Sequence, residues 1–167
     1  MKKCRVALLA AIGVTLCVAN AQAADPQQGS EELARREQLR IAVQGICPVS
    51  GEKLGSMGPP IKVVVGEVKE EIFLCCKSCM KGKIDPKHWA TIHNNIAAAQ
   101  GKCPIMKKAL PEKVKWTVVD GQLVYVCCPP CIKKIQANPA ESLAQVDQYY
   151  MAYLKKKSEN ERQHAMR

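Results

Sequence analysis

Eight of the ten cysteines fall into two sets with the same internal order. In the first, Cys47-Pro48 stands alone, and Cys75, Cys76 and Cys79 follow together; in the second, Cys103-Pro104 stands alone, and Cys127, Cys128 and Cys131 follow. The lone cysteine precedes the adjacent pair by 28 positions in the first set and by 24 in the second. A thiolate is a soft ligand that suits Zn(II), Cu(I) and similar ions. An ion needs donors from separate directions, so two chain segments have to converge on it. Two cysteines three apart around a turn can share one ion, as in zinc knuckles and ribbons. In extended backbone, adjacent side chains point to opposite faces, so Cys75 and Cys76, or Cys127 and Cys128, join one site together only if the chain turns between them. The spacing therefore predicts three thiols per site: Cys47, one of Cys75 and Cys76, and Cys79; then Cys103, one of Cys127 and Cys128, and Cys131. Three sulfurs suit Cu(I) trigonally, or Zn(II) with a fourth ligand. Helix N-termini after each cluster would favour the thiolate form.

Other donors are weaker candidates. His88 and His93 lie five apart on one predicted helix, about 140° apart around its axis, and so do not share a face. The second set has no histidine counterpart, and both read better as helix-surface residues. Met57, Met80 and Met106 are soft sulfurs near the clusters, and Met106 could assist Cu(I) from three positions after Cys103, although methionine more often serves packing. No paired carboxylates, Ser-His-Asp arrangement or phosphate loop is present.

The elements that must position the thiols also repeat. After Cys47 and a Gly- and Pro-rich loop, residues 61–65 read as a β-branched strand, and residues 70–75 as its return. A short helix is expected within 76–83, then a helix capped by Asp85, begun by Pro86 and ending near Ala99. In the second half, residues 114–119 and 122–127 form strands around an Asp120-Gly121 turn. Pro129 and Pro130 suit the first turn of a helix over 131–137. Asn138-Pro139 opens another, whose Leu143, Val146, Tyr150, Tyr153 and Leu154 give one apolar face. The charged tail from Lys155 is expected to fray.

Residues 1–23 read as a secretory signal peptide: Lys2, Lys3 and Arg5 precede the apolar stretch 6–18, and Ala21-Gln22-Ala23 offers small residues for cleavage. Leu16-Cys17 fits a lipoprotein site poorly. Cleavage after residue 23 would remove three positive charges, lowering the formal charge from +10 to +7. The expected location is periplasmic or secreted, with no stable membrane insertion, because the apolar stretch is too short for a span. The positive excess reads as a soluble basic surface, and no aromatic–arginine interleaving suggests nucleic acid. Residues 24–45 read as a leader and a peripheral helix capped by Ser30 and stopped by Gly45. The rest divides into modules at 46–100 and 101–154 and a tail at 155–167. Units of roughly 50 residues usually need disulfides or a metal as staples.

Cys-Pro-Val-Ser-Gly (47–51), Ile-Phe-Leu-Cys-Cys-Lys-Ser-Cys (72–79) and Asp-Pro-Lys-His-Trp (85–89) resemble the YHS/TRASH heavy-metal-binding domain. Cys-Pro-Ile-Met (103–106), Val-Tyr-Val-Cys-Cys-Pro-Pro-Cys (124–131) and Asn-Pro-Ala-Glu (138–141) resemble it again, so the likeness covers about residues 46–150. It implies an α+β fold of two small treble-clef-like modules, each a cysteine turn, a hairpin and a helix. It implies aligned thiols at Cys47, Cys75 and Cys79 and at Cys103, Cys127 and Cys131, and a role in copper or other heavy-metal handling, with a metal exporter or similar protein as partner. The family's aromatic after the last cysteine is absent here, and the aromatic after Asp-Pro is missing near Ser142, which implies a second module that is looser or packed differently.

Two other classes stay open. Cysteines in an exported chain often form disulfides, giving a stapled module for protein interaction. Cys76-Lys-Ser-Cys79 and Cys128-Pro-Pro-Cys131 are also Cys-x-x-Cys motifs, which allow thiol–disulfide exchange, though the alternating strands and helices of thioredoxin-like proteins are missing. The expected function is non-enzymatic binding of Cu(I) or Zn(II) by Cys47, Cys75, Cys76, Cys79, Cys103, Cys127, Cys128 and Cys131.

Overall fold

The structure, a computed structural model, describes residues 26–166. The signal peptide expected over residues 1–23 lies outside them. Four helices and two antiparallel hairpins follow in the order α1 (Pro26–Gln44), β1 (Ile61–Val65), β2 (Glu70–Leu74), α2 (Pro86–Gln100), β3 (Lys115–Val119), β4 (Gln122–Val126), α3 (Pro129–Ala137) and α4 (Pro139–Ala165). A 3-10 turn, Lys77–Lys81, occupies the place in the first half that α3 takes in the second. The α+β class expected from the sequence is what the chain adopts.

Each hairpin is a separate two-stranded sheet. Ile61 pairs with Leu74 and Val65 with Glu70 in one; Lys115 pairs with Val126 and Val119 with Gln122 in the other. Two strands alone are marginal in water. Here each return strand is buried, β4 along its whole length, beneath α1, α2 and α4, which pack on one another. The hairpins also meet edge to edge, where Glu71 N–H donates to the Gly121 carbonyl at 2.8 Å. Arg40 of α1 clamps this seam by pairing with the Glu71 carboxylate at 2.8 Å and donating to the carbonyls of Glu71 and Gly121.

Two cores result. The larger joins α1, α2, α3 and α4 to the second hairpin through Val43, Ala99, Val124, Val126, Ile135, Leu143, Val146 and Tyr150. The smaller surrounds Leu54, Phe73 and Leu74. Cysteines sit inside both, Cys47, Cys75 and Cys79 in one and Cys103 and Cys131 in the other.

Three expectations need correction. The first helix begins at Pro26, so Ser30 lies within it rather than at its cap. Its C-terminal end is not peripheral, since Val43 and Gln44 are buried, and a glutamine rather than an apolar stripe does much of the anchoring. The tail from Lys155 remains helical to Ala165, continuing a helix already nucleated on the core. The second module, expected to be looser or packed differently, is packed differently: α3 stands where the first half has a 3-10 turn, Ile135 is buried, and Ser142 is buried with its hydroxyl donating to the Asn138 carbonyl.

Candidate metal centres

Each lone cysteine sits in a turn built the same way. Cys47 N–H donates to the Glu52 carbonyl at 2.8 Å, and Gly51 N–H donates back to the Cys47 carbonyl at 2.9 Å. Cys103 repeats both bonds with Lys108 and Lys107 at 2.9 and 2.8 Å. The fourth residue after each cysteine has positive φ, 75° at Gly51 and 54° at Lys107. Glycine suits that conformation at Gly51, and space demands it as well, because a Cβ there would lie 2.6 Å from His88 Nε2. The N–H groups of Val49 and Ser50 are directed at Cys47 Sγ, and those of Ile105 and Met106 at Cys103 Sγ. Met106 therefore serves its centre through the backbone, while its side chain is exposed.

The lone-cysteine turn is joined to its return strand by a glutamine. Gln44 donates to the carbonyls of Ile46 and Phe73 at 2.9 and 2.7 Å and accepts from Phe73 N–H at 2.9 Å. Gln100 does the same with the carbonyls of Lys102 and Tyr125 and with Tyr125 N–H, at 2.9, 2.6 and 2.9 Å. These residues were missed in the sequence, although Gln-Gly-x-Cys-Pro occurs at 44–48 and again at 100–104. Their effect is to hold Cys47 against the end of β2 and Cys103 against the end of β4.

The strands stop one residue short of the adjacent cysteines, and the chain bends at Cys75-Cys76 and at Cys127-Cys128. This is the turn that the spacing required if both thiols of a pair were to approach one site, and both sulfur pairs lie 3.8 Å apart. The convergence asked of the chain is present twice. The sulfurs of Cys47, Cys75 and Cys79 all lie within 4.8 Å of one another, and so do those of Cys103, Cys127 and Cys131. Cys76 and Cys128 stand beside these triads rather than within them. Cys76 Sγ is 3.6 Å from Cys79 Sγ, and Cys128 Sγ is 3.1 Å from Cys131 Sγ. All eight are free thiols.

A four-coordinate ion with metal–sulfur bonds of about 2.3 Å sets its sulfurs about 3.8 Å apart, and a trigonal one about 4 Å apart. Cys75–Cys79 at 3.6 Å and Cys127–Cys131 at 3.9 Å fit such an edge. The donor set therefore fits a soft cation, with thiols gathered where a small core would otherwise hold aliphatic side chains.

The electrostatics divide each centre, favouring the thiolate at the lone and outer cysteines and opposing it at the two thiols between them. Burial resists ionisation of Cys47, but the N–H groups of Ser50 and its neighbours outweigh it and bring the thiol down to about 6. Burial likewise opposes ionisation of Cys103, and backbone N–H groups again win, lowering it. Cys76 is lowered by the N–H of Cys79, and Cys128 by the thiol of Cys131. Cys79, by contrast, is pushed up to about 12, and Cys131 is also raised, both by burial and by the neighbouring sulfurs. Several thiolates this close repel one another unless a cation lies between them.

Neither histidine is brought to a triad. His93 lies among Trp89, Trp116 and Tyr125, with the tyrosine hydroxyl 2.9 Å from its Nδ1. His88 backs the Gly51 turn. Met57 and Met80 are exposed. Compared with protein-family models, curated proteins and solved structures, the chain finds no significant match.

Proposed function

We propose that this protein binds soft heavy-metal ions, Cu(I) or Zn(II), through cysteine thiolates, as two tandem YHS/TRASH-like modules of treble-clef type. The observation that carries the reading is the double convergence of a lone cysteine with thiols beyond a hairpin, within 4.8 Å in both halves. The order of knuckle-like turn, hairpin and short helix supports the treble-clef comparison. The role is buffering, resistance or transfer outside the cytoplasm, with a metal exporter or similar protein as acceptor, and it involves no turnover. The basic head and apolar stretch of residues 1–23 support export, and among the described residues no helix is long and apolar enough to cross a membrane. A second reading, a disulfide-stapled interaction module, draws support from the 3.1 Å approach of Cys128 and Cys131.

Anaerobic purification from the native compartment, with metal content and free thiols measured together, tests the proposal. Bound metal, with thiols that become reactive after chelation, is the expected result. A metal-free protein without reactive thiols would establish the stapled module instead.

A further inference from the structure

The outer thiols, Cys76 and Cys128, are not accounted for by a three-sulfur site. They are the members of each cluster that the family likeness does not align, and they are only partly buried, whereas Cys47 and Cys103 are completely buried. Each nevertheless lies against two sulfurs of its triad. Cys76 Sγ lies 3.8 Å from Cys75 Sγ and 3.6 Å from Cys79 Sγ, so it caps the Cys75–Cys79 edge of the triad from outside. Cys128 caps the Cys127–Cys131 edge in the same way, at 3.8 and 3.1 Å.

The backbone around them is formed for the same purpose. Cys79 N–H donates to the Cys76 carbonyl at 3.3 Å, and Cys131 N–H to the Cys128 carbonyl at 3.1 Å. The N–H groups of Ser78 and Cys79 are also directed at Cys76 Sγ, as those two and three residues after Cys47 are directed at Cys47 Sγ. The Cys131 N–H alone faces Cys128, because Pro129 and Pro130 have none to offer, so each module presents a turn with amide N–H directed at the lone cysteine and another, richer in the first module, at the outer cysteine. Paired turns of this kind are how zinc knuckles supply ligands from two directions.

We propose that Cys76 and Cys128 are the fourth ligands, so that each centre is a four-thiolate tetrahedron for a divalent d10 ion of the Zn(II) class. This inference rests on the metal-binding reading above and narrows it. Cu(I) is satisfied by two or three sulfurs and leaves the outer thiol unused, whereas Zn(II) in a structural site takes four. Closing the tetrahedron requires the outer sulfur to come nearer the lone cysteine, since it lies against two triad sulfurs but outside the group that shares the 4.8 Å limit.

The test uses the full chain, reduced, loaded with Zn(II) and freed of excess ion. It is then alkylated under native conditions and mapped by peptide mass spectrometry. All eight thiols are expected to be protected, and all eight to react once the metal is chelated. Protection of Cys47, Cys75, Cys79, Cys103, Cys127 and Cys131, with Cys76 and Cys128 alkylated, overturns the inference and leaves metal binding intact. Alkylation of all eight in protein that has taken up no Zn(II) overturns both. Co(II) loading gives an independent readout. The sulfur-to-cobalt charge-transfer intensity per ion should fall by about one quarter in the Cys76→Ser/Cys128→Ser double variant, four bonds becoming three. An unchanged intensity refutes the fourth ligand.

Discussion

At the scale of single residues, burial decides which changes matter. Cys47 and Cys103 are the innermost thiols, and each is held by its own turn. Cys47→Ser should reduce the metal content from two equivalents to one while leaving the Cys103 centre loaded, and Cys103→Ser should do the converse. Elemental analysis after gel filtration reads this directly, and retention of both ions by either variant would remove the lone cysteine from its site. Glu70 carries a different consequence. It opens β2 where Gln122 opens β4, so one buried position is a carboxyl in one half and an amide in the other. Burial raises the Glu70 carboxyl from 4.5 to about 7 against the opposing pull of Arg40. Between those two values the folded state holds a proton that the unfolded state has released. Stability should therefore fall as pH rises through that window. Glu70→Gln should remove this slope, stabilising the protein at pH 8 by on the order of 2 kcal/mol and changing little below pH 4.5. Urea unfolding across the range is the measurement, and parallel curves for the two proteins would contradict the assignment.

At the scale of elements, the two centres depend on how each turn is fastened to its strand. A buried glutamine whose amide satisfies three backbone groups does this in both halves. Leucine is close in size but leaves those groups without partners, and a buried group left unsatisfied costs about 1–3 kcal/mol. Gln44→Leu and Gln100→Leu should each destabilise the chain by about 3 kcal/mol. Each should also speed metal loss from its own centre alone, measured as release to a chromophoric chelator. Equal loss from both centres would mean that the glutamines support the whole fold rather than one turn. The hairpins were readable beforehand from β-branched runs and Asp120-Gly121, and α2 from Asp85-Pro86, whose carboxylate accepts from Lys87 N–H at 2.7 Å. The glutamines escaped notice because a polar residue at the end of a helix ordinarily faces solvent.

At the scale of the whole molecule, α1 and α4 enclose the two halves. Arg36 of α1 reaches Asp147 of α4, and the larger core runs from Val43 to Tyr150. Beyond Leu154 the last helix leaves that core, and its side chains from Lys155 onward are exposed. Its full length of 27 residues spans about 40 Å, and the part beyond Leu154 is exposed. Deleting residues 156–167 should shift stability by no more than about 0.5 kcal/mol and leave metal content unchanged. Hydrogen exchange over the same stretch of the intact chain should be faster than in the part of α4 packed on the core but slower than in an unstructured tail. A larger loss on truncation would indicate a contact made by the exposed end of the helix.

The sequence by itself determined the duplication, the eight thiols, the hairpins and the need for two segments to converge, because spacing, strand propensity and turn chemistry are local properties of the chain. Spacing left open which member of each adjacent pair joins the lone cysteine, and tertiary structure puts Cys75 and Cys127 there. Placing all of Cys75, Cys76 and Cys79 on one side required a bend just past β2, and bringing Cys47 to them required Gln44 and the packing of three helices. Contacts between residues 25 to 30 positions apart are set by how the surrounding surfaces bury one another, and no stretch of the chain carries that information alone.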